Sequence, residues 1–203
     1  MPATSPRKRQ IRQAAVALFS ERGFYGTGME DIAERVGLRA SSLYNHVRSK
    51  HELLAAVMVE TMQELIAGFD RATATGGRPE QLRAAMEAHV QYHGTHRDEA
   101  HIGNREIASL QQPERDQVRE LRRQYARRWQ ALIQAGIDEG VFHSLSAQLS
   151  AYALLEMGIG VSQWYRENGP LSLDEIAFHY GDMALRQVGA AVVTAGRARP
   201  GLD

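Results

Sequence analysis

The chain has 203 residues, 43% of them hydrophobic and 24% charged, with 24 basic side chains balanced by 24 acidic ones. This composition excludes wholesale disorder and leaves room for one good-sized domain, or a small one joined to a larger one. Cysteine is absent, which rules out disulfide scaffolds and thiolate metal sites, and no stretch approaches the ~20 apolar residues a bilayer span needs.

The opening "MPATSPRKRQIRQ" is basic but lacks the apolar core of a signal peptide, so a cytoplasmic location and no membrane partner are expected. Charge is uneven along the chain. Residues 1–50 carry nine basic side chains against four acidic ones, and the remainder is acidic by the same margin. One basic end suits a local contact with a polyanion, although a solubilising terminus has the same composition.

Proline falls at 2, 6, 79, 113, 170 and 200, each a plausible helix edge, and alternating β-branched runs are missing, so the chain reads as all-α. Ser5-Pro6 opens a first helix with Ile11, Ala14, Ala15, Leu18 and Phe19 on one face, ending at Gly23. Thr27 and Glu30 have capping-box spacing before Met29, Ile32, Ala33 and Val36, and Gly37 stops that helix. "RASSLYNH" makes a third, from about Arg39 to His46, and Ser49 with Glu52 caps a long fourth helix rich in Leu and Met.

"TATGGRPE" breaks the pattern at 73–80. Helices then follow over about Pro79 to His96, Glu99 to Leu110, Pro113 to Glu139 and Ser146 to Arg166. A last one starts at the Ser172/Glu175 box and fades near Ala195, about nine helices in all. The expected division is 1–52, 53–195 and a flexible tail at 196–203, with the first boundary inside the fourth helix.

Two short helices joined by Gly37-Leu38 after a longer one have the layout of a helix-turn-helix. In "ASSLYNHVRSK" only Leu43 and Val47 offer burial, which leaves Ser41, Ser42, Tyr44, Asn45 and His46 to face something polar. Short hydrogen-bonding side chains of this kind reach base edges and phosphates from a major-groove helix.

"TGMEDIAERVGLRASSLYNHVRSKHELL" resembles the DNA-binding segment of the TetR family of bacterial repressors. The shared positions are Thr27, Ile32-Ala33, Val36-Gly37, Leu43-Tyr44, His46-Val47, Lys50 and Leu53, with Val47 where Phe is commoner. The resemblance implies a TetR-like fold: an N-terminal three-helix DNA-binding domain and a C-terminal helical ligand-binding and dimerisation domain. It also implies a repressor that binds a palindromic double-stranded DNA operator as a homodimer and is released by a small molecule. Arg39, Ser41 and Ser42 match the start of the recognition helix, Tyr44, Asn45 and His46 its contact face, and Thr27 and Lys50 phosphate contacts. Arg39 is either a base reader or a further phosphate contact.

The dimer surface is expected on the last two helices, at Gly158, Ser162, Ile176, Tyr180, Met183, Ala184 and Val188, unless these stripes form the chain's own core. "W..L...GI.EG.F" from Trp129 and "WYR..GPLS..E" from Trp164 resemble the C-terminal domains of acyl-CoA-responsive members. A small apolar effector, acyl-CoA among the candidates, would then meet Met62, Met86, His89, Val90, His93, Ile102, Trp129, Met157, Val161 and Trp164. Arg119, Arg122, Arg123, Arg127 and Arg128 either hold its phosphates or form a solvated helix face.

No cofactor, metal site or catalytic residue is expected. Two regulatory alternatives remain, a TetR-type activator and a drug-responsive efflux repressor. The alternative of a different class is a metal-dependent hydrolase using His89 and His93, which stand one turn apart near His96 and His101.

Overall fold

The computed structural model describes residues 5–190; those residues form helices and turns with no strand, and no helix among them is long and apolar enough to cross a membrane. The elements are α1 (Pro6–Arg22), α2 (Met29–Arg35), α3 (Ala40–Leu43), α4 (Lys50–Ala72), α5 (Arg78–Thr95), α6 (Arg97–Arg105), a 3-10 turn (Ile107–Ser109), α7 (Glu114–Asp138), α8 (Ala147–Trp164) and α9 (Leu173–Gln187).

Several helix starts follow from local chemistry. Ser5 Oγ accepts from Lys8 N at 3.3 Å with Pro6 in the first turn, and Ser172 and Glu175 form a reciprocal box. Ser49 Oγ accepts from Glu52 N at 3.2 Å, while the Glu52 carboxylate reaches one residue further back, to Arg48 N at 2.6 Å. At α2 the expected Thr27/Glu30 box does not form. Gly28 is the N-cap, and its N–H is held by the Asp31 carboxylate at 2.6 Å.

Three elements end earlier than the periodicity predicts. After Leu43 the hydrogen bonds tighten to i→i+3, Asn45 N to Ser42 O and His46 N to Leu43 O, so α3 is a single turn with a tight extension. Beyond Arg105 the Glu106 carboxylate engages Phe24 N and Ser109 Oγ, and α6 gives way to the 3-10 turn. α9 stops at Gln187 because Gly189 takes φ +67° and Ala190 N bonds back to Leu185 O. The expected fading near Ala195 and the tail at 196–203 lie outside the described residues.

Two apolar cores result. The first joins Ile11, Leu18, Phe19, Phe24, Ile32, Leu43 and Leu54, and takes in Ile102 and Val118 from later helices. The second holds Phe69, Leu82, Met86, Trp129, Ile133, Leu154 and Leu185. α4 belongs to both: Leu53 to Met58 pack in the first core, Met62 to Phe69 in the second. Burying a large aliphatic side chain contributes about 1.5–3 kcal/mol, so each half of α4 is anchored firmly in a different core.

Candidate nucleic-acid interface and effector cavity

α2 and α3 meet at a turn that only glycine fits comfortably. Gly37 adopts φ +67°, Gly37 N bonds to Glu34 O, and Leu38 N reaches back to Ala33 O at 2.8 Å. This closes α2 and sets α3 across it, with Leu43 fully buried and Val47 nearly so. Those two residues are the anchors, and the rest of the segment faces outward. Arg39, Ser41, Tyr44, Asn45 and Arg48 are exposed, Ser42 and His46 half-buried. The guanidinium groups of Arg39 and Arg48 have no partner among the described residues, whereas most other arginines are paired or bonded to backbone oxygens. The segment therefore presents hydroxyls, an amide, an imidazole and two unpaired cations from one small, firmly seated element.

Two of the expected phosphate contacts are corrected by the geometry. Thr27 is 1% exposed, and its hydroxyl donates inward to Leu18 O at 3.2 Å and Gly23 O at 3.0 Å, so it offers a phosphate nothing. Lys50 Nζ donates to Phe24 O at 2.9 Å and Thr27 O at 3.0 Å and lies 4.5 Å from the Phe24 ring centroid. Its ammonium fastens the α1–α2 turn to the start of α4. The backbone of Phe24 is thus held on both sides, its oxygen by Lys50 and its N–H by Glu106 Oε1 at 3.1 Å. Two further links join α6 to α1: Ser20 Oγ to Asp98, and Arg12 to Glu99. Sequence spacing gave no sign of these contacts, because they bring together residues up to 82 positions apart.

A cavity of about 710 Å³ opens between α4, α5 and α7, within the ~300–1,000 Å³ usual for small ligands. Leu65, Phe69, Ala85, His89 and Tyr125 form its floor, and Glu64, Arg71, Tyr92 and His96 stand around it. A second, polar cavity of about 790 Å³ lies where α1, α6 and α8 meet, at Ser20, Arg97, Arg105 and Gln163. Of the ten expected effector contacts, His89 alone lines the first cavity. Met62, Met86, Val90, Trp129 and Val161 pack in the second core with Met157 against it, and Ile102 packs in the first core. Trp164 is half exposed, near Tyr180. The expectation took buried apolar volume for cavity wall.

His89 bridges three helices. Its Nε2 must donate, because it faces Leu155 O at 3.1 Å, and Nδ1 then accepts from Tyr125 Oη at 3.0 Å. Burial lowers its pKa to about 4, against a smaller opposing effect of the Leu155 bond, so the ring is neutral near pH 7. His93 is held well below the usual value by burial and then by its histidine neighbours, and neither ring nitrogen has a partner. With both His89 nitrogens engaged, the metal-dependent alternative loses its first ligand. No group of three or more His, Asp or Glu side chains among the described residues is placed to hold a metal.

Gly158 faces this histidine rather than a partner chain. A Cβ there would lie 2.3 Å from His89 Cδ2, and the ring cannot swing away without breaking both its bonds. Gly158→Ala is therefore expected to destabilise by about 1–3 kcal/mol through overpacking. Helix propensity alone predicts the opposite sign, about 1 kcal/mol of stabilisation. Urea denaturation decides between them.

The rest of the expected dimer surface needs similar correction. Ile176, Ala184 and Val188 are core residues, and Ser162 is 8% exposed with its carbonyl bonded to Arg97. Only Met183 is exposed, and Tyr180 half-buried. The apolar surface that does lie open runs through Leu145, Leu149 and Tyr152 at helical spacing, then Trp164, with space over Gly160. Its signal was the "L...L..Y" spacing on the face opposite the small residues.

Of the α7 arginines, Arg119, Arg123 and Arg127 lie on a solvated face, while Arg122 and Arg128 are half-buried. Arg123 and Arg127 share Glu120, Arg128 pairs with Asp70, Arg119 with Asp116, and Arg122 bonds to Gly103 O at 2.6 Å.

Comparison with known proteins bears on both halves of the chain. Residues 11–57 match the family described as bacterial regulatory proteins, tetR family, and residues 75–188 match the tetracyclin repressor-like C-terminal domain. The HTH-type transcriptional repressor KstR2 of Mycobacterium tuberculosis is 30% identical over 184 residues, 86% of this chain and 88% of that protein. Among solved structures, a bacterial regulatory protein in the tetR family from Rhodococcus RHA1 superposes with TM-score 0.86 at 29% identity, covering 93% of this chain and 100% of that one. AibR, in complex with isovaleryl coenzyme A and operator DNA, shares the fold at TM-score 0.80 and 24% identity, over 91% of this chain and 100% of its own.

Proposed function

Because the chain belongs to the TetR family of bacterial regulatory proteins and is a DNA-binding transcriptional repressor of that type, we propose how it reads DNA and lets go of it. Two copies bind a palindromic double-stranded operator in the cytoplasm. Each lays α3 and the turn after it into a major groove, with Arg39, Ser41, Ser42, Tyr44, Asn45 and His46 toward the bases and phosphates. Half-sites lie about one helical turn, ~34 Å, or a multiple of it apart. The observation that carries this reading is the pair of unpartnered cations, Arg39 and Arg48, flanking a polar segment seated by Leu43 and Val47.

The division between reading and sensing runs through α4, with residues 1–52 on the DNA side and 53–195 on the effector side. A small lipid-derived effector of the acyl-CoA class occupies the cavity beside α4, and AibR's complex with isovaleryl coenzyme A supports that class. Displacing α4 and α6 moves Lys50 and Glu106, and with them the Phe24 turn that both hold. Release requires the effector to prefer the DNA-incompetent form; a 10- to 100-fold preference corresponds to about 1.4–2.8 kcal/mol.

Arg39→Ala tests the reading mode. Bidentate pairing with guanine is worth about 1–3 kcal/mol of discrimination, so the variant should lose sequence preference by about tenfold or more while keeping non-specific affinity. Gel-shift titration against matched and scrambled fragments measures this. An equal loss on both fragments would make Arg39 a phosphate contact instead.

A further inference from the structure

The groups around the α4–α5 cavity differ in one respect that decides what it can hold: which of them still have a hydrogen to donate. Tyr125 Oη gives its proton to His89 Nδ1, and His89 Nε2 gives its own to Leu155 O. Tyr92 Oη donates to Glu64 at 2.9 Å, and Thr95 Oγ1 to Gln91 O at 2.8 Å. His96 Nδ1 faces Tyr92 O at 3.1 Å and must donate there, so in the neutral ring Nε2 can only accept. Gln91 has one amide hydrogen on Asp174 and one left. Against these stands Arg71, which lines the cavity with no partner among the described residues. Its guanidinium lies beside the cavity edge at Gly68, where a Cβ would sit 3.9 Å from Nη2.

The cavity therefore carries acceptors nearly throughout: the spare amide hydrogen of Gln91 lies at the Glu64 end, beside Tyr92, and the unpaired positive charge of Arg71 stands at the other. That end is the far one. Arg71 lies 21 residues along α4 from Lys50, about 32 Å at 1.5 Å per residue, while the Glu64 carboxylate lies about 10 Å nearer the DNA-binding helices. Leu65 and Phe69 fill the interval with apolar surface.

We propose that this cavity takes an anionic amphiphile in one orientation, its carboxylate or phosphate on Arg71 at the end remote from DNA and its apolar body along Leu65 and Phe69 toward Tyr125. The inference rests on the effector reading above and adds to it an anchor, a direction and a charge requirement. An anion placed the other way meets Glu64, and a neutral chain leaves Arg71 without a role. The α7 arginines take no part, since their partners lie within the protein.

Calorimetric titration with decanoate, decanoyl-CoA and decanol tests this on wild type, Arg71→Gln and Arg186→Gln, the last removing another unpartnered arginine, in the final turn of α9. Wild type should bind the two anions more tightly than decanol. Arg71→Gln should weaken one or both anions about tenfold and leave decanol unchanged, and the weakened anion identifies carboxylate or phosphate as the group held. Arg186→Gln should change nothing. If Arg71→Gln binds both anions like wild type, or decanol binds as tightly as they do, the anchor is wrong while the effector reading stands. If wild type binds none of the three, the effector reading falls and the anchor falls with it.

Discussion

A Lys50→Met variant is expected to bind DNA about 10- to 100-fold more weakly than wild type with an unchanged dependence on salt. Charge-assisted hydrogen bonds contribute about 1.5–3 kcal/mol each, and Lys50 makes two, to Phe24 O and Thr27 O, with the Phe24 ring beneath its ammonium. Methionine keeps the length of the stem but leaves two partly buried carbonyls without their donor. The α1–α2 turn then loosens, and with it the seat of α2 and α3. A tenfold loss corresponds to about 1.4 kcal/mol, so the range expected amounts to part of that clamp.

The salt slope separates this role from a phosphate contact. Each neutralised phosphate contributes about 0.9 to the slope of log affinity against log salt. Lys50, engaged within the protein, should contribute nothing to it, whereas Arg48→Met, which removes an exposed and unpartnered cation, should flatten the slope by about one. Binding isotherms at four salt concentrations suffice. A Lys50→Met slope reduced by one, with thermal stability intact, would return Lys50 to the phosphate role that the family pattern implies.

The second large effect concerns assembly. Leu149 is 69% and Tyr152 46% exposed on the open face of α8, so replacing both by aspartate removes little from the chain's own core. In a dimer formed through this face the same aspartates would be buried without partners, at several kcal/mol. The double variant should sediment at half the wild-type mass with an unchanged helical spectrum. Losing the second half-site should lower operator affinity about 100-fold or more, since linked sites gain about 10²–10⁴ in avidity. A variant that stays dimeric would move the interface elsewhere, and one that is monomeric yet binds DNA fully would remove the need for two copies.

What the sequence made legible is what local rules determine. The helix-turn-helix was readable because Leu43, Val47 and Gly37 act within their own turn, and the serine caps at 5, 49 and 172 bond three residues ahead. Direction was harder. Thr27 and Lys50 match phosphate contacts by position, but the inward hydroxyl and the Phe24 clamp depend on how α1 packs beneath α4.

Small residues in α8 suggested close approach to a second chain, whereas Gly158 approaches His89 of the same chain. Met62, Met86 and Trp129 suggested cavity wall and proved to be core, because a period in hydrophobicity marks burial without saying against what. The roles of the α7 arginines were set by partners such as Asp70, 58 positions away from Arg128. Arg71 gave no signal at all, since a basic residue in the last turn of a helix is ordinary, and what singles it out is that its neighbours around the cavity are engaged.

Selection of bound fragments from a random DNA library by the purified protein tests the central claim most directly. One motif with two inverted half-sites should be enriched, their centres separated by about 10 base pairs or a multiple, and its enrichment should fall in the Arg39→Ala selection. Enrichment of a single asymmetric site, or none above the starting library, would contradict that claim.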